Sequence, residues 1–236
     1  MNTFVSVVTP TYNRRRYIPT LIKIYASQTY PKARMEWIIL DDGTDKVGDL
    51  FKEASKTIPN IRYIALDEKV LIGKKRNILN KEAKGDIIIS MDDDDYYPET
   101  RVMHVVSKFA QFPRIELAGS SEMYLFFTYD KKIVKAGPYN PNHSTNGALA
   151  IRKSYANTHQ YDETVTHAEE RSFLDDYKNP MIQLDPFKTI LVLCHTDNTF
   201  DKSKIRHAGN KLITETKYSL KSFISDKKLR EFYMNA

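Results

Sequence analysis

Apolar and polar positions follow two different periods along the N-terminal part of the chain. Residues 4–9 form a short apolar run rich in β-branched side chains, which predicts a buried strand ended by Pro10. Asn13 is placed to cap a following helix, in which Ile18, Leu21, Ile22 and Tyr25 recur at helical spacing until Tyr30 and Pro31 close the region. A second strand is predicted over 36–40, ended by Asp41, Asp42 and Gly43, and a helix over 46–56. Pro59 and Asn60 make a turn into a third strand over 61–65. Gly73 precedes a helix that turns Ile78, Leu79 and Ala83 inward and stops at Gly85, before a strand over 87–91. This β-α-β-α-β-α-β order predicts a parallel sheet with right-handed crossovers. The strand ends would then place Thr11, Tyr12, Asn13, Asp41, Asp42 and the acids of 92–95 along one edge.

The second half reads differently. A helix is predicted over 98–112, a hairpin of 122–129 and 132–136 around Asp130 and Lys131, and a strand over 146–151. A helix over 168–177 and a strand over 189–194 follow. These elements are expected to add a layer to the same sheet. From Lys202 onward the chain is Lys-rich, with Ile205, Leu212, Ile213, Tyr218, Leu220, Phe223, Ile224, Leu229 and Phe232. That pattern predicts amphipathic helices packed back on the domain, with peripheral membrane contact as the other reading.

The chain has 236 residues, 41% hydrophobic and 28% charged, which suits one globular domain with an appendage. A single cysteine, Cys194, excludes an internal disulfide framework and fits a reducing compartment. No apolar run approaches the ~20 residues of a membrane span, and the N-terminus lacks the pattern of a signal peptide. The expected location is cytoplasmic, soluble or peripheral to a membrane. A net charge of +6 is compatible with nucleic acid, an anionic surface or a phosphorylated small ligand. Its most concentrated groups, Arg14–Arg16 and Lys74–Arg76, follow strands and open helices, a better place for a phosphate than for a duplex.

The chemistry concentrates in one stretch. Ile87, Ile88 and Ile89 lead through Ser90 and Met91 to four consecutive aspartates, Asp92, Asp93, Asp94 and Asp95. Four adjacent carboxylates repel one another and resist desolvation, and a hard divalent cation resolves that conflict. At the C-terminal end of a buried strand they sit where open α/β sheets bind ligands. Lys74, Lys75 and Arg76 are candidates to supply positive charge to a phosphate. Tyr96 and Tyr97 are candidates to touch ligand, whereas Trp37, Cys194, His143 and His159 read as structural.

Four segments in order carry a family likeness: Val5 to Arg14; Trp37 to Thr44; Gly73 to Asn77; and Ala83 to Ile88 with the acids of 92–95. Together they resemble the nucleotide-sugar-binding half of family-2-type inverting glycosyltransferases. The resemblance implies the GT-A fold: an α/β, Rossmann-like, mostly parallel central sheet flanked by helices. It is strong over 4–100, weaker over 140–200 and absent beyond 205. It implies a single domain over 1–204, with a nucleotide-sugar-binding half (1–100) and an acceptor half (101–204), followed by a C-terminal helical extension over 205–236.

The resemblance further implies transfer of a sugar from a nucleotide diphosphate sugar, UDP- or GDP-linked, with Mn2+ or Mg2+. The nucleotide would contact the loop of Thr9, Pro10, Tyr12, Asn13 and Arg14. Asp42, with Asp41 beside it, matches the position that reads the base, and Arg76, with Lys74 nearby, matches the basic residue near the pyrophosphate or base. Asp92 would face the ribose and Asp94 the metal. Because every position of the motif is aspartate, Asp92 and Asp93 remain open as ligands, and His195 is a further candidate. The acceptor would be a glycan, a lipid-linked sugar or a protein, and not nucleic acid.

Inversion needs a base opposite the leaving group. Family members carry a Glu-Asp pair whose second acid is the base; here the pair is Glu169 and Glu170. Glu170 is the expected base and Glu169 the alternative, with Asp162 and Glu163 as weaker candidates. Asn146 and Gly147 open a strand that borders the acceptor site in the family, where a glycine permits close approach by a sugar. Two rival readings remain: a sugar nucleotidyltransferase, and a non-catalytic basic polyanion binder. The first usually has a Gly-rich loop after strand one, and 10–14 contains no glycine. The second does not account for four acids at a strand end.

Overall fold

The computed structural model describes residues 2–195, 206 and 211–236. Its main sheet has seven strands in the order β3 (Ile61–Ala65), β2 (Met35–Asp41), β1 (Val5–Thr11), β4 (Ile87–Ser90), β8 (Ala150–Arg152), β5 (Leu117–Gly119) and β9 (Met181–Gln183). Strands β1 (Val5–Thr11), β2 (Met35–Asp41), β3 (Ile61–Ala65) and β4 (Ile87–Ser90) are mutually parallel where they pair, as the βαβ pattern requires. The period-two alternation of these strands divides their side chains between two cores. Val5, Val7, Trp37, Ile39, Ile87 and Ile89 join one buried cluster, and Val8, Ile38, Leu40 and Ile88 join the other. Helices α1 (Ile18–Ala26), α2 (Gly48–Ala54) and α4 (Arg101–Gln111) contribute to the first, while α3 (Ile72–Glu82) contributes to the second. Burying each such Ile or Leu stabilises the fold by about 1.5–3 kcal/mol relative to exposure.

Several local expectations are corrected. Pro10 does not end β1, which runs to Thr11 with Pro10 opposite Leu40. Val8 O accepts from Met91 N and Thr11 O accepts from Asp42 N, so the missing donor of Pro10 falls on the β4 side, where pairing has stopped at Val8. Asn13 does not cap α1, which starts after Tyr17 with no side-chain cap. Its side chain instead accepts from Asp45 N at 3.0 Å, holding the loop after β2.

In the second half, β5 (Leu117–Gly119), β8 (Ala150–Arg152) and β9 (Met181–Gln183) extend the main sheet, with β8 antiparallel to β4. The hairpin forms as β6 (Met123–Phe127) and β7 (Lys132–Ala136), with Lys131 at positive φ in its turn. It does not join the main sheet. With β10 (Leu191–Cys194) and β11 (Ile213–Glu215) it builds a second sheet in the order β10-β6-β7-β11. The strand expected over 146–151 begins as a 3-10 turn, Asn146–Ala148. The helix expected over 168–177 is one turn, α5 (Glu170–Phe173), because Asp175, Asp176 and Tyr177 take positive φ values that no α-helix continues.

Of the extension expected to be helical over 205–236, the described residues are helical at Arg206, in the 3-10 turn Leu220–Ser222 and over Lys227–Asn235. Ile205 and the 204/205 boundary lie outside the described residues. Ile213–Glu215 is a strand, because the edge of β7 offers unpaired backbone to a β-branched segment. The last helix, Lys227–Asn235, buries Tyr233 against the first core, and Leu220 and Ile224 are buried with it. Among the described residues no helix is long and apolar enough to cross a membrane.

Candidate active site

The C-terminal ends of β1, β2 and β4 meet at one rim, and the four aspartates after β4 differ in their surroundings, with Arg14 shared by Asp93 and Asp94. Asp92 Oδ1 accepts from Arg76 Nη1 at 3.2 Å. Asp93 is buried, with Arg14 Nε 3.9 Å away. Asp94 Oδ2 lies 2.9 Å from His195 Nε2 and 4.0 Å from Arg14 Nη2. Asp95 Oδ1 accepts from the buried Leu193 N at 2.7 Å, so this acid ties the loop to β10. The His195 ring is held on its other side by the Tyr17 hydroxyl, 3.1 Å from Nδ1, and Phe232 of the last helix packs edge-on against Tyr17. Tyr233 donates its hydroxyl to Asp95 O at 3.0 Å. The C-terminal helix therefore braces the acidic loop.

Burial and the neighbouring Asp94 charge push the Asp93 carboxyl well above the usual carboxylate range. Adjacent carboxylates that resist ionising together form an oxygen donor set short of positive charge, which a hard divalent ion supplies. The donor set fits Mg2+ or Mn2+. Among the described residues no three His, Cys, Asp or Glu side chains form a ready cage, so an ion held here takes further oxygens from its ligand and from water.

Two basic residues of α3 point into the rim. Lys75 and Arg76 are both buried, while Lys74 is exposed and faces away, since successive helix residues are rotated by about 100°. Lys75 Nζ pairs with Asp42 and donates to Thr11 O at 3.3 Å. Arg76 reaches both halves of the molecule: besides Asp92, its Nε donates to Glu169 Oε1 at 2.9 Å. Asn146 Nδ2 donates to Glu169 Oε1 at 2.7 Å and lies 3.3 Å from Glu170 Oε2. Burial, and then the Glu169 charge, push the Glu170 carboxyl up to about 7.

Some predicted site residues are engaged in the fold instead. Thr9 Oγ1 donates to Met91 O at 2.7 Å and accepts from Trp37 Nε1 at 2.9 Å, with no exposed surface. Asp41 accepts from Gly43 N, Val47 N and the Tyr63 hydroxyl, and so shapes the loop after β2. Asp42 is buried and accepts from Val70 N at 2.9 Å in addition to Lys75. Tyr97 is buried with its hydroxyl accepting from Asp92 N, and Tyr96 bridges to Leu191, so neither is a ligand surface. A Cβ on Gly147 would meet Ile190 Cδ1 at 2.8 Å and Asp92 Oδ2 at 3.3 Å. The glycine thus admits the acidic loop, where the sequence suggested a sugar. Asp162 and Glu163 lie on an exposed loop; Glu163 Oε1 accepts from Asn77 Nδ2 at 2.9 Å, and Asp162 N donates to Ser172 Oγ at 3.0 Å.

Tyr12 and Arg14 remain at the rim; Tyr12 is partly exposed, with the Lys69 ammonium 4.3 Å from its ring centroid. Sequence reasoning missed Tyr17 and Tyr161. Both read as ordinary apolar-face aromatics, and only a hydroxyl needing a buried partner marks them out.

The family model described as Glycosyl transferase family 2 matches residues 6–121, just under half of the chain. Among curated relatives, the poly(ribitol-phosphate) β-N-acetylglucosaminyltransferase TarS of Staphylococcus aureus is 33% identical over 93 residues, 39% of this chain and 16% of that protein. Glycosyltransferase AglE of Haloferax volcanii is 30% identical over 92 residues, 39% of this chain and 30% of that protein. The chain thus matches well under two thirds of the length of these curated relatives. Among solved structures, TarS 1–349 in complex with UDP-GlcNAc superposes with a TM-score of 0.63 at 19% identity, over 83% of this chain and 60% of that one. Mannosyltransferase PcManGT from Pyrobaculum calidifontis, in complex with GDP-Man and Mn2+, gives a TM-score of 0.67 at 13% identity, over 99% of this chain and 70% of that one. The four ordered segments, the parallel sheet and these matches lead to one conclusion: residues 6–121 of this chain match glycosyl transferase family 2, and the chain has the GT-A fold.

Proposed function

We propose that this chain transfers a sugar from a UDP- or GDP-linked donor to an acceptor hydroxyl, with inversion at the anomeric carbon and with Mn2+ or Mg2+ on the diphosphate. The observation that carries this reading is the Arg76 bridge, which joins Asp92 of the acidic loop to Glu169, next to the half-buried Glu170. It brings a donor-side acid and a candidate base to either side of one guanidinium. Tyr12, Arg14 and the Asp42–Lys75 pair border the nucleotide side. Asp94, with Asp92 and His195 beside it, would hold the cation, which when bound neutralises charge on the departing diphosphate. Arg14 and Arg76 add fixed positive charge there.

Glu170 accepts the proton of the acceptor hydroxyl as its oxygen bonds to the anomeric carbon. The bond from that carbon to the diphosphate oxygen breaks, and its electron pair leaves with the nucleoside diphosphate. Glu169 stays with Arg76 and Asn146. The structural neighbours in complex with UDP-GlcNAc and with GDP-Man and Mn2+ support the donor class and the cation. The TarS name gives poly(ribitol-phosphate) as that protein's acceptor, which supports a polyhydroxylated acceptor here.

The test is incubation with a panel of UDP- and GDP-sugars, with Mn2+, Mg2+ or a chelator. Metal-dependent release of UDP or GDP from one donor is the expected result. Pyrophosphate exchange in its place would identify a nucleotidyltransferase.

A further inference from the structure

The two glutamates are adjacent in sequence, yet one amide gives them different surroundings. Asn146 Nδ2 carries two hydrogens and lies 2.7 Å from Glu169 Oε1 and 3.3 Å from Glu170 Oε2. An unrestrained carboxamide turns over easily, which would set an oxygen against the carboxylates. Here the Tyr161 hydroxyl donates to Asn146 Oδ1 at 2.7 Å and fixes the orientation. Tyr161 is itself held flat against Phe173, with centroids 4.0 Å apart, and its backbone N–H bonds to Asn77 Oδ1 at 2.8 Å. The turn carrying Asn146 is anchored from below. Arg101, fully buried, donates to Ala148 O at 2.7 Å. Asn146 and Tyr161 are both nearly inaccessible to solvent.

The geometry points to Asn146, oriented by Tyr161, as the positioning residue that divides roles within the acid pair, holding Glu169 to Arg76 and aiming Glu170 at the acceptor hydroxyl. This rests on the reading of Glu170 as the base. The family likeness set the strand opening at Asn146 beside the acceptor site, but it gave neither Asn146 nor Tyr161 a role toward the acid pair. Asn146 lies outside the matched span of 6–121, and Tyr161 lies further along the chain.

The consequence is a pH signature. The charged and titratable groups facing Glu170 are Glu169, Arg76 and Asp92, with Tyr161 and Tyr177 packed alongside and the His143 ring against Tyr177. Glu169 and Asp92 disfavour a charged Glu170, and Arg76 and the Asn146 N–H favour it. Removing that N–H takes away a donor to the carboxylate, so the acidic limb of the rate profile moves to higher pH.

The experiment compares wild type, Asn146→Ala, Tyr161→Phe and Glu170→Gln for kcat, donor KM and the pH dependence of kcat/KM. For Asn146→Ala the expectation is a drop in kcat of about 10- to 100-fold, donor KM within about twofold, and an acidic limb raised by about half a pH unit or more. Tyr161→Phe keeps the stacked ring and should shift the limb in the same direction by less; it decides the matter if Asn146→Ala does not fold. A limb unmoved in the folded variants, with Glu170→Gln inactive, overturns the positioning role alone. A Glu170→Gln protein with wild-type kcat overturns the base assignment beneath it.

Discussion

Arg76 of α3 donates its Nε to Glu169 Oε1 at 2.9 Å, tying that helix to an acid 93 residues further along the chain. The same guanidinium also holds Asp92, and both Arg76 and Glu169 are buried. Replacing Arg76 by Met leaves two carboxylates without their cation. Stability should fall by about 3–5 kcal/mol, the usual cost of orphaning a buried charge. Arg76→Lys keeps the charge but cannot span both acids, and should lower kcat/KM by at least 10-fold. Urea unfolding and steady-state kinetics check the two halves of this expectation.

The raised Glu170 carboxyl sets a direction for pH. A base must be ionised, so kcat/KM should climb as pH rises through about 7 and level off above it. Stability runs the other way. The folded state holds this proton more tightly than the unfolded chain, whose ordinary value is 4.5. Its contribution is full below 4.5 and is lost as pH rises through about 7. Rate and melting profiles from pH 5.5 to about 8.5, with Glu170→Gln as the control, measure both; the control should lose the shift in stability.

The four aspartates should separate by function. Asp94→Asn is expected to abolish Mn2+ binding in calorimetry and nearly all turnover. Asp95→Ala should keep measurable Mn2+ binding while losing about 1–3 kcal/mol of stability, because it strands the buried Leu193 N–H. Equal loss of metal binding in both variants would contradict the division of roles.

The C-terminal helix offers a milder test. Tyr233→Phe keeps the ring against Tyr96 and Phe232 but removes the hydroxyl from Asp95 O. A loss of about 1 kcal/mol in stability is expected, together with weaker Mn2+ binding as the loop loosens. An unchanged metal affinity would show that the brace does not reach the acids.

The parallel sheet was legible because strand and helix periods alternate cleanly, and the register follows from Val8 opposite Ile38 and Ser90. The acidic rim was legible because a buried strand delivered it. Less was visible where two readings share one pattern. Lys74, Lys75 and Arg76 look alike in sequence, and only the rotation of α3 sends Lys74 to solvent and the other two inward. Asp41 and Asp42 read as ligand acids, yet backbone amides bond both: Gly43 N of its own loop to Asp41, and Val70 N of the segment after β3 to Asp42. The second sheet was hidden because β10 and β6 pair across 60-odd residues of chain, and no local pattern encodes such a partner. The short helix at Glu170 was overestimated because helical spacing continues through Asp175, Asp176 and Tyr177, whose positive φ values no periodicity reveals.

The most direct measurement is the configuration of the newly formed glycosidic bond, read by NMR on the product of the accepted donor, for wild type beside Glu170→Gln. The account predicts an inverted anomer from wild type, formed only with a divalent cation, and no transfer by a Glu170→Gln protein that still binds donor. A retained anomer, or transfer at the wild-type rate by Glu170→Gln, would contradict it.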